Sequence, residues 1–408
     1  MSQRCAALAL LGLLAAGGAA ADLPTERPGS VATLPAPSPH WVWLGDFLFR
    51  RAALLDVDSG RFLGQLSSGL GVVAPSVSSS RGEVYLPETY YSRGSRGERS
   101  DVVTIYDLAK LAPIAEIAIP PKRADVVNGM GLSTLLDDGR FLVVFNLTPA
   151  TSVSVVDVAN RRFAGEIATP GCSLVYAAGA RRFASLCGDG SLLLVTLDDE
   201  GREASRQRSE SFFNPIEDPV TEKGVRQGDR WLFVSFEGIV HTIDLSQAGP
   251  RFEKSWSLLS DADREAGWRI GGTQHLALHE ASGRLYELVH SGGGPGSHKQ
   301  SGSQVWVYDL GSHERVGQIP VGNLVGSFAA YRIGLRGGIG EWLTRHLVPN
   351  PGADSIAVTQ DADPRLLMVS RSAGTLGVYD ARSGAWLRDL DDVGLAPAVL
   401  QAPWRGTP

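Results

Sequence analysis

The sequence predicts an all-β protein, a seven-bladed β-propeller. A unit of strand, Asp, polar turn and second strand recurs seven times. The copies lie about 40 to about 70 residues apart, which suits a four-stranded blade with loops of variable length. Helical periodicity is scarce along the 408 residues.

In chain order the copies are "ALLDVDSGRFLGQL" around Asp56, "VTIYDLAKLAPIAEI" around Asp107, "VSVVDVANRRFAGEI" around Asp157 and "LLLVTLDDEGREASR" around Thr196. They continue as "VHTIDLSQAGPRFEKSW" around Asp244, "VWVYDLGSHERVGQI" around Asp309 and "LGVYDARSGAWLRDL" around Asp380. Each reads as a hairpin, with β-branched residues alternating up to an Asp, Asn or Gly turn. An apolar run such as "GEVYLPET" or "RWLFVSFEG" precedes each copy and supplies the inner strands. The clearest helix signal is "LSDADREAGW" at 259–268, where Ser260 can cap the start and acidic residues fill the first turn. The segment 322–350 is long for a connection in a compact domain and reads as either functional or an insertion.

The first 21 residues carry a lone Arg4, an apolar stretch and a small-residue end at Ala19-Ala20-Ala21, the form of a cleaved export signal. Its apolar part is shorter than the roughly 20 residues of a spanning helix, so no membrane span is expected after cleavage. The organisation read from the sequence is therefore a signal at 1–21, an N-terminal arm at 22–40 and a propeller at 41–408, with the mature chain exported. Cleavage leaves 37 basic against 44 acidic residues with no strongly basic half, which argues against nucleic acid as a partner. Cys172 and Cys187 then remain, and an oxidising compartment favours a disulfide between them, two buried thiols being the alternative.

Catalytic signatures are missing. "HSGGGPGSHKQSGS" at 290–303 lacks the Gly-Lys-Ser/Thr ending of a phosphate loop. His275 and His279 share a strand face without a third ligand, so no metal site is read. "NLT" at Asn146 is a glycosylation sequon in form only. No nucleophile elbow and no carboxylate pair stands out, which makes binding the leading class.

One region carries a more specific signal. "LLSDADREAGWRIGGTQHLALHEASGRLYELVHSGGGPGSHKQSGSQVWVYDL", with Gly267, Trp268, Arg269, Gly271, Gly272, Gln274, His279, His298 and Lys299, resembles the heavy subunit of the periplasmic quinoprotein amine dehydrogenases, methylamine and aromatic amine dehydrogenase. "YYSRGSRGERSD", "TPATSVSVVDV", the paired cysteines, "GIVHTIDLS" and "SIAVTQD" are similar to the same subunits, and the likeness spans nearly all of the mature chain.

The resemblance implies a seven-bladed propeller without a cofactor of its own. It implies a small, disulfide-dense light chain that carries tryptophan tryptophylquinone, an α2β2 assembly, and a blue-copper protein or cytochrome c as electron acceptor. It makes this chain a non-catalytic scaffold that walls the substrate channel. Leu70, in "SGLG", stands where the methylamine enzymes carry an aromatic residue at the channel mouth. Arg93, Arg96, Arg99, Trp268 and Arg269 are the implied subunit contacts. The insertion at 322–350 is a departure from the family pattern. The rival reading is a stand-alone periplasmic propeller that binds a ligand or protein without a quinone-bearing partner.

Overall fold

Every copy of the repeat becomes the third and fourth strands of one antiparallel sheet, and the apolar run before it becomes the second. The structure, a computed structural model, describes residues 33–404 except 72–73, 126–129 and 295; the export segment lies outside those residues. Seven sheets follow one another. In two of them one position is split: Arg251–Phe252 and Trp256–Ser257 share the outer place of blade 5, and Arg269–Ile270 and Leu276–His279 share the inner place of blade 6.

The recurring Asp has one task in every blade. Its side chain accepts hydrogen bonds from backbone N–H groups two to four residues on, closing the turn into the outer strand: Asp56 from Asp58, Asp107 from Lys110, Asp157 from Asn160, Asp244 from Ser246, Asp309 from Gly311 and Asp380 from Arg382. In blade 4, where Thr196 takes the usual place, Asp198 does the same for Glu200 and Arg202. Register shifts after the third-strand centre recur in six of the blades, so the outer strands twist away alike.

Blade 1 is built from both ends of the described chain. Trp41–Asp46, Arg51–Asp56 and Arg61–Ser67 come from its beginning, while the inner strand, Pro397–Gln401, comes from its end. Apolar clusters fill the spaces between neighbouring blades: Val42, Leu44 and Val369 between blades 7 and 1, Tyr85 and Val144 between 2 and 3, Val234 and Leu285 between 5 and 6.

Among the described residues three α-helices interrupt the β pattern. Helix α1, Asp261–Glu265, starts after Ser260, the cap read from the sequence, and the structure adds a capping box in which Ser260 and Asp263 exchange hydrogen bonds. Helices α2, Leu324–Arg332, and α3, Gly338–Leu347, occupy the long 322–350 segment. Leu324 enters the core shared by blades 6 and 7. Arg345 of α3 is paired with Glu341 and Asp389, which fastens the hairpin to the outer strand of blade 7.

Antiparallel alternation sorts the loops. Loops from second to third strands, and those leaving a fourth strand for the next blade, emerge at one face of the ring; the Asp turns and the first-to-second loops emerge at the other.

The two histidines considered as ligands are structural. His275 Nδ1 lies 2.6 Å from Glu287 and Nε2 lies 2.8 Å from Thr221. His279 bonds Ser282 and the Asp361 carbonyl at the Asp-turn face. Glu287 is fully buried with one oxygen unpartnered, and burial pushes its carboxyl above the ordinary 4.5. Such a carboxyl stabilises the fold while protonated, below its ordinary value, and that contribution is lost as pH climbs through the raised one. Glu287→Gln should therefore raise the melting temperature more at about pH 8 than at about pH 4.5. Equal shifts at both would mean ordinary titration.

Candidate functional face

All six residues singled out as channel or contact candidates sit on the face that carries the blade-to-blade connections. Leu70 lies between blades 1 and 2, Arg93, Arg96 and Arg99 on the second-to-third loop of blade 2 and the start of its third strand, and Trp268 and Arg269 on the connection into blade 6.

Leu70 and Arg99 belong to one buried network. Arg99 grips Asp101 with two hydrogen bonds, of 2.9 and 2.8 Å, and also donates to the Arg123 carbonyl at 2.6 Å. Asp101 accepts further from the Thr89 hydroxyl and from the Arg123 backbone N–H. Arg123, 4% exposed, donates from Nε to Thr89 Oγ1 at 3.0 Å and from Nη2 to the Leu70 carbonyl at 2.6 Å. Leu70 N–H returns to the Thr89 carbonyl, and Gly69 N–H donates to Glu88. Burial holds the Glu88 carboxyl above its usual range, against the hydrogen bonds from Thr104, Tyr90 and Gly69.

Arg93 and Arg96 are different. Their backbones close the loop through Arg93 N–H to the Arg96 carbonyl, and both side chains lie in solvent without an ion-pair partner among the described residues.

Near blades 5 and 6, Trp268 is half-buried against Trp306, ring centres 5.1 Å apart. Arg269 donates to the Trp268 carbonyl at 2.7 Å. His298 stacks on Phe236 at 3.5 Å, and burial, followed by the charge of Lys299, holds its imidazolium below the usual value. Lys223 on the same face is pulled down to about 8, by burial first and Lys299 second. Gln274 spans three blades: its amide donates to the Ile356 and Leu400 carbonyls and accepts from Leu400 N–H.

This face also exposes large apolar side chains: Phe47, Leu48 and Phe49 on the blade 1 loop, Leu147 on blade 3, Ile216 before blade 5 and Leu395 before blade 1. Ile216 is 90% exposed. All of them lie on second-to-third loops or blade-to-blade connections, so they share this face. At the opposite face, a groove of about 850 Å³ lies between blades 6 and 7, lined by His279, Arg284, Gln360, Asp361 and Arg382 among others. None of the channel or contact candidates lines it. Among the described residues no group of three His, Cys, Asp or Glu is placed to hold a metal ion, and no helix is long and apolar enough to cross a membrane.

The family model for methylamine dehydrogenase heavy chains matches residues 48–333 and 328–403. The chain belongs to that family. It is 29% identical to the methylamine dehydrogenase heavy chain of Paracoccus versutus over 374 residues, covering 90% of this chain and 80% of the relative. It is 27% identical to that of Methylophilus methylotrophus, covering 91% and 85%. Among solved structures, a functionally unknown protein from Desulfotomaculum acetoxidans (TM-score 0.58, 12% identity, 89% of this chain and 98% of that one) and the dihydro-heme d1 dehydrogenase NirN in complex with DHE (0.54, 17%, 92% and 79%) share the fold alone. The two matched segments of the family model meet inside α2, where the helical hairpin begins.

Reading the sequence singled out Leu70 and Arg99 but not Arg123 and Thr89, which join them, or Glu88, which holds Gly69 beside them. Arg123 sits in "PPKRAD", outside every copy of the repeat. The only signal was indirect: an Asp two residues after Arg99, facing inward on a strand.

Proposed function

We propose that this chain is the large, cofactor-free subunit of a periplasmic amine dehydrogenase whose light chain carries tryptophan tryptophylquinone. Membership of the methylamine dehydrogenase heavy chain family is the observation that carries this reading. The concentration of exposed apolar side chains at one face supports it, because that face offers an obligate partner a surface to bury. Phe47, Leu48, Phe49, Ile216, Arg93 and Arg96 face the light chain in this reading, and Leu70 borders the substrate entrance. The quinone, when present on the partner, is the electron sink for oxidation of a primary amine. This chain's own part is to exclude water and limit what reaches the reacting centre, as rigid loops on a propeller do. Two heavy and two light chains form the assembly, and a blue-copper protein or cytochrome c takes the electrons.

Expression with the light chain tests this. The complex should show quinone absorbance that a primary amine bleaches, while this chain alone shows none. Leu48→Glu combined with Ile216→Glu should weaken co-purification of the light chain by about tenfold or more, since each places a carboxylate in a desolvated contact. Full recovery of the complex with both changes would reject this face as the contact; a parent chain that fails to retain the light chain when the two are expressed together would favour the stand-alone propeller.

A further inference from the structure

We propose that Arg123 is a positioning residue that fixes the Leu70 loop, and so sets the size of amine admitted. The inference rests on the reading that Leu70 borders the entrance.

Leu70 stands between two residues without side chains, Gly69 and Gly71. Both glycines are pressed against backbone. A Cβ on Gly69 would lie 2.1 Å from the Thr89 carbonyl oxygen, and one on Gly71, at φ +104°, would lie 2.8 Å from that of Asp125. The loop therefore rests directly on the second strand of blade 2 and on the connection into blade 3. Arg123 ties those three segments together. It leaves the connection, bonds Thr89 on the strand and ends on the Leu70 carbonyl.

Stability alone does not call for an arginine here. Burying a guanidinium is costly, and apolar residues of similar volume often serve a core as well or better. A guanidinium supplies something else: donors in a rigid plane, which hold several acceptors in one relative geometry. Asp101 and Arg99 then fix Arg123 itself, through its backbone N–H and its carbonyl. The charge network ends on the one loop whose side chain is proposed to touch incoming substrate.

The test uses the complex of heavy and light chains and compares kcat/KM for 2-phenylethylamine with that for methylamine. Leu70→Ala should raise this ratio about tenfold, the scale at which a pocket discriminates by a few methylene groups. Arg123→Lys keeps the charge but loses the fork, and should raise the ratio in the same direction, mainly through a lower KM for the larger amine. Thr89→Val, which removes one bond of the relay at nearly constant shape, should do so more weakly. Leu70→Ala added to Arg123→Lys should give less than the product of the two separate effects. Thermal melting of each variant separates a folded, shifted enzyme from an unfolded one. If Leu70→Ala shifts the ratio while folded Arg123→Lys and Thr89→Val leave it alone, the positioning proposal is wrong and the entrance reading stands. If Leu70→Ala itself changes nothing, the entrance reading is lost and this proposal with it.

Discussion

A chain cut before Pro397 is expected not to fold. That strand is the inner strand of blade 1, and it reaches its sheet only after every other blade has been built. Its pairing with Trp41–Asp46, Gly45 opposite Val399 and Leu44 opposite Leu400, is what closes the ring. Ala398, Val399 and Leu400 are all buried, and the strand is also held from the side: Ser355 donates to the Ala398 carbonyl at 3.0 Å, and Gln274 exchanges bonds with Leu400. Beyond it, Trp404 lies edge-on to Trp41 at 6.1 Å and stacked on Trp43 at 6.3 Å. Cutting the strand away would bare the inner edge of blade 1 and the flanks of blade 7 together, and an open edge of this kind invites aggregation. The graded version is Trp404→Ala, which empties a buried aromatic site and should cost about 3–5 kcal/mol in urea unfolding. A truncated chain that melts cooperatively near the intact protein's temperature would show that closure is not what stabilises the ring.

The same strand marks where the sequence stops being legible. The repeat could be read because each copy carries its own turn chemistry: the Asp side chain and the backbone it caps are neighbours in the chain. "PAVLQ" has no such neighbour, and nothing local says that it pairs with "WVWLGD" more than 350 residues earlier. Inner strands as short as Ser76–Ser78 and Ser133–Leu135 are likewise set by their sheets rather than by their own residues. Helices α2 and α3 were hidden for a related reason. Glycines at 334, 337 and 338 break up the pattern, and α3 buries none of its residues, so its apolar side chains do not report a core. The candidate face was legible in its parts: Leu70, Arg99 and Trp268 stood out by resemblance and lie where loops of one face gather. The link between Leu70 and Arg99 was not, because Arg123 is placed by Asp101, 22 residues before it and on another element. Asn146 makes the point for polar residues generally. In the sequence it heads a glycosylation sequon, whereas in the fold it is buried and its amide donates to Ser152 and Ser154.

Replacing Cys172 and Cys187 together by Ala should lower stability by about 3 kcal/mol, the value expected for a crosslink closing a loop of this length. The two residues face each other across the inner and second strands of blade 4, and both are buried. Their place is telling. Just past Cys172 the inner strand loses its register between Ser173 and Tyr176, with Leu174 at φ 62°. A β-branched or aliphatic residue disfavours that conformation, so this strand contributes less of its own stability than its neighbours do. The crosslink holds its first residue to the second strand at the face that carries the candidate contacts, and limits how far the strand opens before the blade unfolds. Reductant should therefore bring the native protein close to the double variant, while leaving the variant itself unmoved. Urea midpoints with and without reductant decide it. A native protein unaffected after reduction in the unfolded state, or a double variant as stable as the parent, would show that the flanking apolar packing of Phe183, Leu186 and Val195 carries blade 4 without the bond.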